Sequence, residues 1–167
     1  MTVSIRRARA DDAAFLVALT THDDVDPFLA AGRDRGPDAM VADIARSERT
    51  PDEYGIFVVE EDGEPVGTMR FELANRRSRI ADLSQLAVHP NARGRGVADE
   101  AARLCQRHLI DDLGFHRLQL EVYAFNERAL AHAECVGYTR EGIRRKAYRS
   151  ETGWIDGIMF GLVADDD

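Results

Sequence analysis

The sequence predicts a mixed α/β fold. Several segments alternate apolar and polar residues with the period of a strand, and others repeat apolar residues with the period of a helix. Residues 80–137 run strand, loop, helix, strand, helix, an order that requires a parallel strand pair joined by a right-handed crossover. The other strands follow one another through short turns and are expected to pair antiparallel.

In chain order, Thr2 to Arg6 sets Val3 and Ile5 against polar neighbours and reads as a short strand. Asp11 or Asp12 caps a helix with Ala14, Phe15, Ala18 and Leu19 at helical spacing. Residues 21–36 form a loop with one helical turn from Pro27 to Ala31. Pro37 opens the next helix, through Met40, Val41, Ile44 and Ala45, because its fixed φ suits a first turn. The period then shortens. Tyr54 to Glu60 and Pro65 to Leu73 are strands joined by an Asp62-Gly63 hairpin signal, and Ile80 to Val88 completes the meander. Gly96 to Leu113 is a long amphipathic helix with Ala98, Ala101, Ala102, Cys105, Leu109 and Leu113 on one face, ended by Gly114. His116 to Tyr123 is a strand, and Asn126 opens a helix that stops at Gly137. Tyr138 to Tyr148 and Trp154 to Val163 are the last strands. One domain is expected over residues 1–164, followed by an acidic tail at 165–167.

The chain has 167 residues, 44% hydrophobic and 31% charged, enough to bury one core without disulfides or metals. Its formal charge of −8 disfavours nucleic-acid backbones and anionic membrane surfaces as partners. No apolar run approaches a bilayer span, and the Arg-rich start has no apolar signal core, so a cytoplasmic location is expected. Cys105 and Cys135 sit in no metal-ligand spacing; both are expected to be small buried apolar groups, and no metal is expected.

The most informative stretch is Leu86-Ala87-Val88-His89-Pro90-Asn91-Ala92-Arg93-Gly94-Arg95-Gly96-Val97-Ala98. A strand runs into a short loop and a helix begins, with small residues at 94, 96 and 98 that let a ligand approach the backbone. Orphan amides at a helix start suit an anion, and Arg93 and Arg95 raise the local potential in an acidic protein. A phosphate-binding P-loop would need Gly-Lys-Ser/Thr, which Gly96-Val97-Ala98 lacks. A dinucleotide fingerprint would need a third glycine where Asp99 stands.

This stretch resembles the GNAT superfamily of acyl-CoA-dependent N-acetyltransferases, whose signature is Arg/Gln-x-x-Gly-x-Gly/Ala after an apolar-x-Val-x-Pro strand end. Arg93, Gly96 and Ala98 match it, and Leu86-Ala87-Val88-x-Pro90 matches the lead-in. Downstream, Leu118-x-Leu120-Glu121-Val122, Asn126-Glu127-Arg128-Ala129, Gly137-Tyr138, Glu141-Gly142-x-x-Arg145 and Gly153-Trp154-x-Asp156-x-x-Met159 continue the likeness to about residue 160. The resemblance implies a mostly antiparallel sheet of six to seven strands with a splayed parallel pair, strands 4 and 5, flanked by about four helices. It also implies acetyl-CoA as cosubstrate. The amides of Gly94, Gly96, Val97 and Ala98 would hold its diphosphate, flanked by Arg93 and Arg95. Strands 4 and 5 would part after Val88, and the backbone of Leu86 and Val88 would bond the pantetheine arm. An amide at Leu86 or Ala87 would polarise the thioester carbonyl, and Asn126 would touch the arm besides capping its helix.

Attack on a thioester needs a neutral amine, and a lysine-like amine near pKa 10.4 is almost wholly protonated at pH 7, so a base is useful. Asp82 matches a position where some relatives carry a catalytic glutamate; being one methylene shorter, it would act through water. Glu121, Glu72 and His89 are alternatives. The usual acids are absent: the tyrosine of the second motif is Ala133, and the serine of another branch is Ala129. His132 and Tyr123 are the substitutes within reach, and Tyr138 is expected to pack in the core. The implied reaction is direct transfer from acetyl-CoA to a primary amine of a small molecule, amino acid or peptide. Residues 21–50 and 144–154 would shape the acceptor side, and a homodimer through the last strands is compatible with the pattern. The absent acids leave a non-enzymatic acyl-CoA-binding domain of the same fold as the alternative.

Overall fold

The computed structural model describes residues 1–29 and 36–165. The expected turn at 27–31 is a short 3-10 turn at Asp26–Phe28, and Ala30, Ala31 and Gly32 lie outside the described residues, as do Asp166 and Asp167 of the tail.

The strands are β1 (Val3–Arg7), β2 (Tyr54–Glu61), β3 (Glu64–Asn75), β4 (Ile80–Val88), β5 (Arg117–Tyr123), β6 (Thr139–Ser150) and β7 (Gly153–Val163). The helices are α1 (Ala13–Thr20), α2 (Pro37–Arg49), α3 (Val97–Arg107) and α4 (Glu127–Cys135). All seven strands form one sheet in the order β1-β2-β3-β4-β5-β7-β6. Only β4 and β5 pair in parallel; every other neighbour is antiparallel. The fold is therefore the mixed α/β class that the periodicity predicts, with four α-helices on the two faces among the described residues.

Ile56 to Val59 are apolar and buried without alternation, because β2 is covered on both faces. On one face Phe57, Val59 and Phe71 pack with Val97, Ala101 and Cys105 of α3 and with Leu109 just beyond it. On the other, Tyr54, Ile56 and Val58 meet Leu16 of α1 and Met40 and Ile44 of α2. Burial of these side chains at about 25 cal/mol per Å² is the main stabilising term.

Four details depart from the sequence reading. Asp12 does not cap α1: its carboxylate takes the Arg6 guanidinium at 2.7 and 2.9 Å and the Arg9 amide at 2.7 Å. α3 does not stay regular to Leu113; it widens into a π-turn at His108–Asp112, and the left-handed Gly114 lets the Phe115 amide reach back to the Leu109 carbonyl. Cys135 is exposed at the end of α4, while Cys105 is buried as expected, its thiol pushed up to about 12 by burial. The fourth departure is a bulge in β4. Thr68 pairs with Ala87 and Arg70 with Ser84, so Met69 faces both Gln85 and Leu86. Gln85 takes a left-handed φ of 54° to make room for the extra residue.

Candidate active site

The bulge sets the geometry of the site. β4 and β5 are paired only at Ile80↔Arg117, Ala81↔Leu118 and Asp82↔Gln119. The strands part after Asp82, six residues before the expected point at Val88, because β4 turns at Gln85 and stays with β3 while β5 stays with β7. A cleft of about 910 Å³ opens between them. Leu86, Ala87 and Val88 form one wall, and Leu120 to Tyr123 form the other.

At one end the cleft meets the start of α3. Gly94 and Gly96 have φ of 80° and 78°, so the chain reverses into the helix there with no side chain in the way. A β-carbon at either glycine would meet nothing within 4 Å, so the concavity is open. The first α3 bond runs from the Glu100 amide to the Gly96 carbonyl. Among the described residues, the amides of Gly94, Gly96, Val97 and Ala98 have no protein acceptor. Their dipoles and the helix macrodipole favour an anion at this spot.

The two arginines separate. Arg93 lines the cleft and braces the loop, donating to the Val88 carbonyl at 3.2 Å and the Asp24 carbonyl at 3.0 Å. Burial, and then the nearby Arg128, lower its pKa, the sign of a positive neighbourhood. Arg95 points elsewhere: it forks onto Glu61 at 2.6 and 3.0 Å and does not line the cleft. Asn126 lines it and caps α4, its Oδ1 accepting the Ala129 amide at 3.2 Å.

Asp82, Glu121, Tyr123 and His132, all singled out in the sequence, also line the cleft. Asp82 is exposed and one carboxylate oxygen accepts from Gln119 Nε2 at 2.6 Å. Glu121 is half-buried; one oxygen accepts the Tyr148 hydroxyl and has Arg144 3.5 Å away, while Oε1 is buried without a partner among the described residues. Burial, helped by the Glu121 carboxylate, raises the Tyr148 pKa, so that hydroxyl stays a donor at neutral pH. His132 is half-buried with Nδ1 2.7 Å from Asp99. Burial alone would raise the Asp99 pKa, but bonds from His132 and Cys135 outweigh it and hold the carboxyl low.

The methyl groups of Ala129 and Ala133 stand where a hydroxyl was sought, and both line the cleft. Tyr138 is buried, as expected of a core residue, yet its hydroxyl has no hydrogen-bond partner of good geometry among the described residues and its ring borders the cleft. Asp24 and Phe28 after α1 and Arg144 and Tyr148 of β6 also line the cleft; they fall within the two segments expected to shape an acceptor side. Sequence reading missed Gln85 altogether. The signal was present as a phase slip: Ala81 and Leu83 face α3, and so do Leu86 and Val88, which strict alternation forbids.

A model of the acetyltransferase (GNAT) family matches residues 17–138. The chain is 29% identical over 115 residues to the SPbeta prophage-derived uncharacterized N-acetyltransferase YokL of Bacillus subtilis, a stretch covering 69% of this chain and 64% of that protein. It is 38% identical over 85 residues to the [ribosomal protein bS18]-alanine N-acetyltransferase of Salmonella typhimurium, covering 49% of this chain and 55% of that enzyme. The matched stretch thus spans less than two thirds of either relative. In structure the chain is similar to Mycobacterium smegmatis RimJ in complex with CoA-disulfide, with a TM-score of 0.83, 23% identity, and 98% and 82% of the two chains covered.

Proposed function

The chain belongs to the acetyltransferase (GNAT) family, and from that premise we propose that it is an N-acetyltransferase that moves an acetyl group from acetyl-CoA directly to a primary amine. The observation that carries the reading is the run of unpaired amides at Gly94, Gly96, Val97 and Ala98, opening onto the cleft between β4 and β5. The fit to coenzyme A is chemical at each end. The amides and the Arg93 guanidinium suit a diphosphate. The β4 edge left unpaired beyond Asp82 suits an extended arm that bonds like an added strand.

When bound, the coenzyme supplies an activated acetyl thioester. The rest falls to the chain. An amide at Leu86 or Ala87 would donate to the thioester oxygen as negative charge develops there. The bulge aims this stretch of β4 into the cleft. Glu121 suits the base role better than Asp82. Its Oε1 is buried and unpartnered among the described residues, while Tyr148 holds the other oxygen; Asp82 is exposed, and one of its oxygens accepts from Gln119. A carboxylate of this kind takes the proton that the amine must lose. His132 is oriented by Asp99 and lines the cleft, and in the absence of a hydroxyl at 129 or 133 it is the proton donor we assign to the departing thiolate. A thiol near pKa 8.5 needs only modest help to leave.

Asp24, Glu121 and the rings of Phe28 and Tyr148 at the acceptor side suit a cationic amine with an apolar stem. The test is thiol release from acetyl-CoA in the presence of free amino acids, short peptides with free N-termini, and diamines. Turnover with at least one class supports the reading. Tight coenzyme binding with no turnover on any amine supports the alternative of a binding domain, which Ala129 and Ala133 favour.

A further inference from the structure

Gln85 carries two unfavourable features at once. Its backbone sits at a φ of 54°, a region that a residue with a long side chain rarely adopts. Its side chain is 7% exposed, and neither Nε2 nor Oε1 has a protein partner among the described residues. A methionine would fill the same space with no buried polar atoms, and a glycine would accept the backbone freely. Both features fall three residues beyond Asp82, the last β4 residue paired with β5, and the side chain lines the cleft. Strain and unpaired polarity concentrated at one such point are the mark of a group kept for a ligand.

The chemistry of the carboxamide narrows the ligand. It offers an acceptor and a donor side by side, so its full complement is a group presenting both. A diphosphate and a thioester only accept. An attacking amine brings N–H donors and needs its lone pair for the reaction. A trans secondary amide presents its carbonyl and its N–H on opposite edges, and the pantetheine arm of coenzyme A contains two in succession, so the carboxamide can meet the carbonyl of one or the N–H of the other. We propose that Gln85 is a positioning residue that bonds a secondary amide of the pantetheine arm and so fixes how far the thioester reaches along the cleft. This rests on the coenzyme reading above.

The test is calorimetric titration of wild type and Gln85→Met with two ligands: coenzyme A, and 3′-phosphoadenosine 5′-diphosphate, which keeps the diphosphate and lacks the arm. The expected result is a Kd for coenzyme A weakened about tenfold by Gln85→Met, with the armless ligand unchanged and the melting temperature not lowered. Gln85→Gly, which relaxes the backbone, should show the same selective loss and guards against a folding failure of the first variant. Unchanged coenzyme binding in both variants overturns the assignment and leaves the coenzyme reading standing. Parallel weakening of both ligands, or an effect confined to the acceptor KM, also overturns it. If wild type binds neither ligand, the coenzyme reading itself falls.

Discussion

Gly157 of β7 and Glu121 of β5 are matched by shape: a β-carbon on Gly157 would overlap the Glu121 carboxylate. Gly157 pairs with Tyr123, so the missing side chain leaves the room in which Glu121 turns back under Tyr148. Glu121→Gln should lower kcat by roughly 10²–10⁴-fold if this carboxylate takes the amine proton. Gly157→Ala should lower kcat by at least about tenfold by displacing the same group, with coenzyme affinity held. Steady-state kinetics on the best acceptor from the amine screen measures both. An unchanged kcat in Glu121→Gln returns the role to Asp82.

The two arginines of the glycine loop should behave differently. Arg93 braces the loop from within the cleft, whereas Arg95 is engaged with Glu61. Arg93→Ala should weaken coenzyme binding by more than about tenfold and Arg95→Ala by less than about threefold. Equilibrium binding at fixed ionic strength checks this, and equal losses would mean that Arg95 leaves Glu61 for the ligand.

Arg70 is a stability element under the site. Its side chain is 3% exposed and donates to Asp43 at 2.7 Å and to the Tyr54 hydroxyl at 2.8 Å. Arg70→Ala removes the Arg70 donor from the Asp43 carboxylate and from a buried phenol and should cost about 3 kcal/mol in urea unfolding. Arg70→Met with Asp43→Asn should recover part of that loss, since the charge is removed together with its partner.

The acid limb of the stability profile should carry the mark of Asp12. The Arg6 guanidinium, first by its hydrogen bonds and then by its charge, holds this carboxyl below the usual aspartate range, against an opposing push from burial. A depressed folded pKa contributes stability in full above the unfolded value near 3.9, and that contribution is lost as pH falls through the folded value. Melting temperatures of wild type and Asp12→Asn should therefore differ most above about pH 5 and converge toward about pH 2. A gap that widens on acidification would contradict this.

Much of the architecture was legible because period and turn chemistry agree along the chain. Asp62 and Gly63 both take positive φ, as the hairpin signal requires, and Pro37 and Asn126 open their helices. The glycine turn into α3 at 94–98 was legible for the same local reason. What escaped was non-local. Arg95 finds Glu61 across 34 residues of sequence, and Cys135 is exposed although α4 is amphipathic. The early parting of β4 from β5 depends on one residue inserted against Met69, and the slip in apolar phase between Leu83 and Leu86 was its trace in the sequence.

The peptide groups that turn into α3 should be where the coenzyme diphosphate binds. Nitrogen-15 amide spectra recorded through a titration with coenzyme A test it directly. Gly94, Gly96, Val97 and Ala98 should show the largest shifts, saturating together with Leu86 and Val88. Shifts confined to other parts of the sheet, with these amides unmoved at saturation, would contradict it.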